Sequence, residues 1–330
     1  MSGAPKHDKE RGAILLTTML IMAMMATLAV AIMSDIRIAV LRAGNVNTAE
    51  QLDWYARGAE DFAQVWLSEQ NSENQSTLAA IIRAGQAITF PLDEGTLSIK
   101  IRDGQNCFNV NALAEKDSLS ARRELLNLLD SLGVGASDAL LFSERLTDWV
   151  DADSSAGQGG AENYTYLAKT PAYLAANRPM ADITELRAID GVSEAFYRQI
   201  RPYVCAPQTD RTEQDAAPLS PSRININTLG LDGGPLLASV LGGRDALPVA
   251  EAIIADMPAE GYGALEEVLT RQDFIDLDLK GSANARLSVR SQRIEIEIGI
   301  AQGGQFRSYA VQFLTPRVGD AVLLARRAQF

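Results

Sequence analysis

The sequence predicts an α+β protein in which a long N-terminal helix packs on a small antiparallel sheet and a large, mostly α-helical domain is inserted. Three observations lead there. An uncharged apolar run near the N-terminus passes into a charged segment with helical spacing. Strand-like alternation occurs twice, once before and once after a long block of helical periodicity. Strands on both sides of a helical block describe one sheet interrupted by an insert.

Residues 13–33 are 21 residues without a charge, enough for a helix of roughly 30 Å, the thickness of the hydrocarbon layer. Lys6, Lys9 and Arg11 precede it, partly offset by Asp8 and Glu10, so the positive-inside rule puts the short N-terminus in the cytoplasm and the rest outside. Three processing schemes fit this segment: an uncut signal anchor, a signal peptide cut after Ala29-Val30-Ala31, or a leader of residues 1–12 cut after Gly12. Beyond it, Ile36, Val40, Ala43, Val46, Leu52, Tyr55, Ala59, Phe62 and Trp66 recur at steps near three and four, the mark of an amphipathic helix.

Residues 71–77 read as a loop and 78–83 as a short helix. Strands follow at 88–91 and 96–102 around an Asp93-Glu94-Gly95 turn, and a β segment at 107–111 closes a first α/β portion, 34–111. The insert spans 112–285. It contains helices at 118–132 and 136–150, two short helices around Asp190-Gly191, a Pro/Ser/Asp-rich linker at 207–222, and a second helical unit starting at 223–228 and running to about residue 279. Residues 286–330 return to β structure, with a hairpin turning at Gly303-Gly304.

Composition removes several functions. A formal net charge of −12 disfavours nucleic acid as a partner. The single histidine, His7, precedes the apolar run, so no Ser-His-Asp triad, Cys-His dyad or histidine-ligated zinc can form in the body. No phosphate-binding P-loop occurs. Cys107 and Cys205 are a candidate disulfide if the body is exported, with two unrelated buried thiols as the alternative.

The densest constellation is acidic. Asp148, Asp151, Asp153, Ser155, Glu162 and Asn163 surround a glycine-rich stretch with Gly157, Gly159 and Gly160. Counted from Asp151 as position 1, Asp153 is 3, Ser155 is 5 and Glu162 is 12, the side-chain ligand spacing of an EF-hand loop, although Ala156 replaces the usual glycine at position 6. Asp148 lies one helical turn before Asp151. The residues fit a calcium loop and a solvated acidic turn equally well. A glycosidase-like carboxylate pair lacks the aromatic groove such an enzyme needs, since aromatics are 6% of the chain. The segments 183–192 and 224–228 resemble helix–hairpin–helix halves, but acids outnumber arginines there, which favours a protein–protein module over DNA binding.

A charged leader ending Glu10-Arg11-Gly12, followed by Ala13-Ile14-Leu15-Leu16-Thr17-Thr18, resembles the processing site of type IV pilins and pseudopilins. Most of that class carry glutamate five residues after the cut, where this chain has Thr17, and the K-type minor pseudopilin of type II secretion is the member that typically lacks it. The stretch from Asp148 to Leu167, followed by Asn177-Arg178-Pro179-Met180, resembles the K-type insert. The resemblance implies a prepilin peptidase cutting after Gly12 and N-methylation of Ala13. It implies one inner-membrane helix with the bulk of the chain periplasmic, and one calcium ion in the acidic loop, with a second whose ligands stay unassigned. It also implies partnership with the I- and J-type minor pseudopilins and then the H type, at a pseudopilus tip whose assembly for protein export across the outer membrane it helps initiate. No enzymatic activity is implied. The alternatives are a signal-anchored periplasmic calcium-binding scaffold and, less favoured by charge, a helix–hairpin–helix DNA-binding protein.

Overall fold

The computed structural model describes residues 8–73, 75–115, 118–207, 223–277, 285–316 and 319–329; residues 1–7 of the expected leader and 208–222 of the expected linker lie outside them. Helix α1 (Asp8–Glu73) is continuous, and α2 (Gln75–Ala84) follows it. The loop expected at 71–77 is therefore a junction of two helices; that stretch holds neither glycine nor proline to stop a helix. Strands β1 (Ile88–Leu92) and β2 (Gly95–Asp103) form the first hairpin.

The insert consists of two units built on one plan. The first runs through β3 (Phe108–Asn109), a 3-10 turn (Val110–Ala114), α3 (Leu119–Ser131), α4 (Ala136–Val150), α5 (Asn163–Leu167), a 3-10 turn (Ile183–Ala188), α6 (Glu194–Ile200) and β4 (Val204–Cys205). The second runs through β5 (Ile224–Asn225), a 3-10 turn (Ile226–Thr228), α7 (Gly234–Leu241), α8 (Leu247–Ala255), α9 (Leu265–Leu269), α10 (Gln272–Ile275) and β6 (Leu287–Ser288). Each opens on an apolar-Asn-apolar-Asn sequence, Phe108-Asn109-Val110-Asn111 and Ile224-Asn225-Ile226-Asn227. The first asparagine of each accepts the N–H two residues on, at 3.0 and 3.1 Å. The second clamps a distant backbone on both sides: Asn111 donates to Met180 O (3.1 Å) and accepts from Met180 N (2.7 Å), and Asn227 does the same with Tyr262 (2.9 and 2.8 Å). The opening strand of each unit then pairs in parallel with its closing strand, β3 with β4 and β5 with β6. The expected β segment at 107–111 and the expected start of the second helical unit at 223–228 are thus two-residue strands with 3-10 turns. Their pairing partners lie 60 to 100 residues away, beyond the reach of local pattern.

The chain returns to the sheet through β7 (Arg293–Gln302), β8 (Gln305–Leu314) and β9 (Val322–Gln329), giving an antiparallel order β1-β2-β7-β8-β9. Gly303 and Gly304 both take positive φ, which a two-residue hairpin turn requires. Ile294, Ile296, Ile298 and Ile300 alternate toward α1 and are fully buried. The face of α1 that meets them is Leu52, Ala56, Ala59, Ala63 and Leu67, where small alanines let helix and sheet approach closely. This corrects the expected stripe. Phe62 is 59% exposed, and Ile36, Val40 and Val46 stand in solvent because the helix is not gripped by the head before residue 48.

Candidate metal site

The acidic loop leaves the end of α4. Asp148, still inside that helix and only 2% exposed, accepts the N–H groups of Gly157 (3.1 Å) and Ala161. Gly160 is packed so tightly that a Cβ there would lie 1.9 Å from Asp148 Oδ2. The glycine-rich stretch thus wraps around the Asp148 carboxylate, which anchors the loop. Burial raises its pKa.

Beyond that anchor, carboxylate oxygens of Asp151, Asp153 and Glu162 come within 4.8 Å of one another. Among the described residues none of the three has an ion-pair partner. Asp151 Oδ1 and Glu162 Oε1 are buried without a hydrogen bond, and so is Oδ1 of Asn177, a residue held at φ 43°. Asn177 Nδ2 donates to Asp153 O (2.5 Å), Ser154 Oγ (3.3 Å) and Glu162 Oε2 (3.4 Å), which fixes it against the loop. Burial, followed by the neighbouring charges of Asp153, Asp148 and Glu162, pushes Asp151 up to about 6; burial also raises Glu162. Buried acceptors without donors are costly, and three converging carboxylates repel each other. Hard oxygens in that arrangement fit a divalent cation such as Ca²⁺.

Six residues were candidate ligands from sequence, and the structure gathers three of them: Asp151, Asp153 and Glu162. Asp148 lies beside them as the anchor of the loop, close enough for its charge to act on Asp151. Asn163 Oδ1 accepts from Ala175 N (3.0 Å), so it ties down the loop exit. Ser155 is exposed and takes part through its N–H, which donates to Asp153 Oδ1 (2.8 Å). Asn177 was missed as a site residue. Its position beyond the acidic run hid it, although asparagine tolerates a left-handed backbone better than most residues.

Elsewhere, Cys107 and Cys205 are disulfide-bonded with Cα atoms 5.7 Å apart, joining the residue before β3 to the end of β4 at the neck of the first unit. Ala13 lies exposed on α1, directly after Gly12 in the same helix. Thr17 Oγ1 donates to Ile14 O (2.9 Å), so the position usually held by a glutamate carries a polar group satisfied within its own turn. At the Asp190-Gly191 hairpin, Arg145 (2.9 Å) and Lys169 (2.7 Å) both pair with Asp190, so the cations that could hold a phosphate are spent on an internal carboxylate.

The architecture is a long helix, apolar enough in its first part to cross a membrane and packed in its last part on an antiparallel sheet, with a two-unit insert bearing an acidic loop. Comparison with known proteins narrows this. Two family models, both described as type II secretion system (T2SS), protein K, match residues 106–209 and 224–290, one on each unit of the insert. Type II secretion system protein K of Klebsiella pneumoniae is 33% identical over 307 residues, and that of Pectobacterium carotovorum subsp. carotovorum 31% over 306, with 90% of each chain covered in both cases. The protein of Aeromonas hydrophila is 29% identical over 336 residues, 98% of each chain. A chain in the crystal structure of the GspK-GspI-GspJ complex from the enterotoxigenic Escherichia coli type 2 secretion system superposes with a TM-score of 0.71 at 28% identity, covering 88% of this chain and 99% of that one. The chain belongs to the type II secretion system protein K family, the K-type minor pseudopilins.

Proposed function

We propose that this chain caps the pseudopilus tip together with the I- and J-type minor pseudopilins, with the H type below, and helps start fibre assembly. One observation carries the reading: 88% of this chain superposes on a chain from the GspK-GspI-GspJ complex. The insert makes the head broader than a helix-on-sheet subunit, which suits an end position better than a stacked repeat. Prepilin peptidase would cut after Gly12 and leave Ala13 as the methylated first residue. The helix would then anchor in the inner membrane with the head in the periplasm. α1 supports the anchor, being the one helix among the described residues long and apolar enough to cross a membrane.

Within that role the acidic loop binds one calcium ion through Asp151, Asp153 and Glu162, with Asn177 Oδ1 as a further oxygen. The ion supplies the positive charge that the loop lacks. The chain's own residues do the rest: Asp148 closes the glycine-rich turn, Asn163 secures its exit, and Asn177 joins the loop to the segment that leads to the Asn111 clamp. The role is structural. The three carboxylates converge on one point, the arrangement of a cation-binding loop.

Co-expression with tagged I- and J-type partners tests the assembly reading. Recovery of a 1:1:1 complex from detergent extracts is expected, and failure of the full chain to join it sinks the tip assignment. Intact mass of the native chain decides the processing. A first residue at Ala13 is expected, whereas an uncut chain or one beginning at Ile32 favours the anchored-scaffold alternative.

A further inference from the structure

Helix α1 changes environment twice. Its uncharged segment ends at Met33, and the head first touches it at Thr48, whose side chain lies against the Gly303 turn; Leu52 is the first fully buried residue. Between them, residues 34–47 are exposed on every face. That bridge is 14 residues, roughly 21 Å of helix, held only by its own backbone hydrogen bonds. With no tertiary packing, the helical state of each residue here depends on its own propensity and its one backbone hydrogen bond.

The bridge is not uniform. Residues 34–43 include Arg37, Ala39, Leu41, Arg42 and Ala43, all good helix formers. The end nearest the head reads Gly44-Asn45-Val46-Asn47-Thr48, five consecutive residues of low helix propensity. A side chain at Gly44 would meet nothing within 4 Å, so no close packing requires the glycine. Thr48 Oγ1 donates back to Gly44 O (3.0 Å), the i−4 bond that bends helices. Among the described ion pairs none spans this stretch to stiffen it. Sharp helix bends concentrate at such glycine and hydroxyl positions.

We propose that residues 44–48 are a hinge at which the head turns on its membrane anchor. The weak pentapeptide sits directly before the first residue the head grips, where local unwinding swings the whole head while costing no core contact. A subunit that must meet partners above a membrane while its anchor stays in the lipid gains orientational reach from such a joint. The inference rests on residues 13–33 being an anchor, and the test reports on that separately.

The test uses the full chain in lipid nanodiscs, followed by hydrogen exchange, with spin labels on Val40→Cys and Trp54→Cys for a distance distribution; the native cysteines are bonded to each other and take no label. Strong protection across 20–30 reports the anchor. Within that frame, amides at 44–48 are expected to exchange about ten-fold or more faster than those at 54–60, and the label distance to be broad. Gly44→Ala, Asn45→Ala and Asn47→Ala combined are expected to remove both signs without moving the head's melting temperature. Equal protection at 44–48 and 54–60 in the parent chain, or a distance width that the alanine variant shares, overturns the hinge. Loss of protection across 20–30 overturns the anchor instead.

Discussion

The two units of the insert begin alike and end differently. Both open on the same asparagine pattern and clamp a far backbone segment at Met180 or Tyr262. Between the second helix and the clamped residue, however, the first unit has residues 151–179 and the second only 256–261. In the long version, Asp151, Asp153 and Glu162 face one another, and among the described residues none of them is in an ion pair. In the short version, Asp256 is paired with Arg271 (2.9 Å), which also holds Asp273 (2.8 Å). That hydrogen-bonded guanidinium lowers Asp273, while burial and like charges raise Asp151. One scaffold thus carries two acidic clusters, one neutralised by a covalently attached cation and one without an ion pair among the described residues.

The largest expected effect breaks or confirms the shared plan. Asn111→Ala and Asn227→Ala each strip both hydrogen bonds from a clamped backbone and should cost about 3 kcal/mol. Thermal or denaturant unfolding of the full chain would read this, and a cost near zero for either would mean that the units are held differently. Next comes the metal. Calcium at a hundredfold excess over its Kd should stabilise the chain by about 2.7 kcal/mol, seen as a rise in Tm that chelator reverses. Asp151→Asn should abolish that rise. Arg271→Gln, which removes a partly exposed cation from the other unit, should cost only about 1 kcal/mol and leave the calcium response unchanged. A calcium response lost in Arg271→Gln would erase the distinction between the units.

The pH dependence is smaller and has a definite sign. Without calcium, the folded Asp151 titrates near 6, above its unfolded value, so the folded chain holds the proton more tightly. Its contribution is favourable at low pH and is lost as pH rises from the unfolded value through about 6. Asp273, lowered by Arg271, contributes in the opposite sense: its stabilisation is present above the unfolded value and disappears as pH falls below it. Melting curves between pH 4 and 7 in chelator should show a downward slope with rising pH that Asp151→Asn removes; an unchanged slope in that variant would contradict the assignment. The smallest effect is Ser155→Ala. The hydroxyl is exposed and the loop uses only the N–H, so neither Tm nor calcium affinity should move.

Local patterns reached much of the fold and part of the site. The bounds of α4 (Ala136–Val150) and the hairpin turning at Gly303-Gly304 follow from periodicity and turn chemistry, which act over a few residues. The Asp151, Asp153 and Glu162 cluster was readable because all three lie in one short loop. The repeated asparagine motif is printed in the sequence, but four residues recurring once carry too little signal to announce a duplicated unit. Its meaning appears only when each asparagine meets a backbone 35 or 69 residues away.

By itself the sequence determined an uncharged helix of membrane length, the strand alternation on both sides of a helical block, a chain with no basic surplus for nucleic acid, and where the acids are concentrated. These follow from hydrophobicity, charge and propensity, which each residue carries wherever it lies. Tertiary structure alone decided which face of α1 is buried, which of six polar residues meet at one point, that Asp148 anchors and Asn177 joins, and that Arg271 neutralises one unit while the other stays open. Each of those outcomes depends on groups far apart in the chain arriving within a few ångströms, a distance that only packing sets.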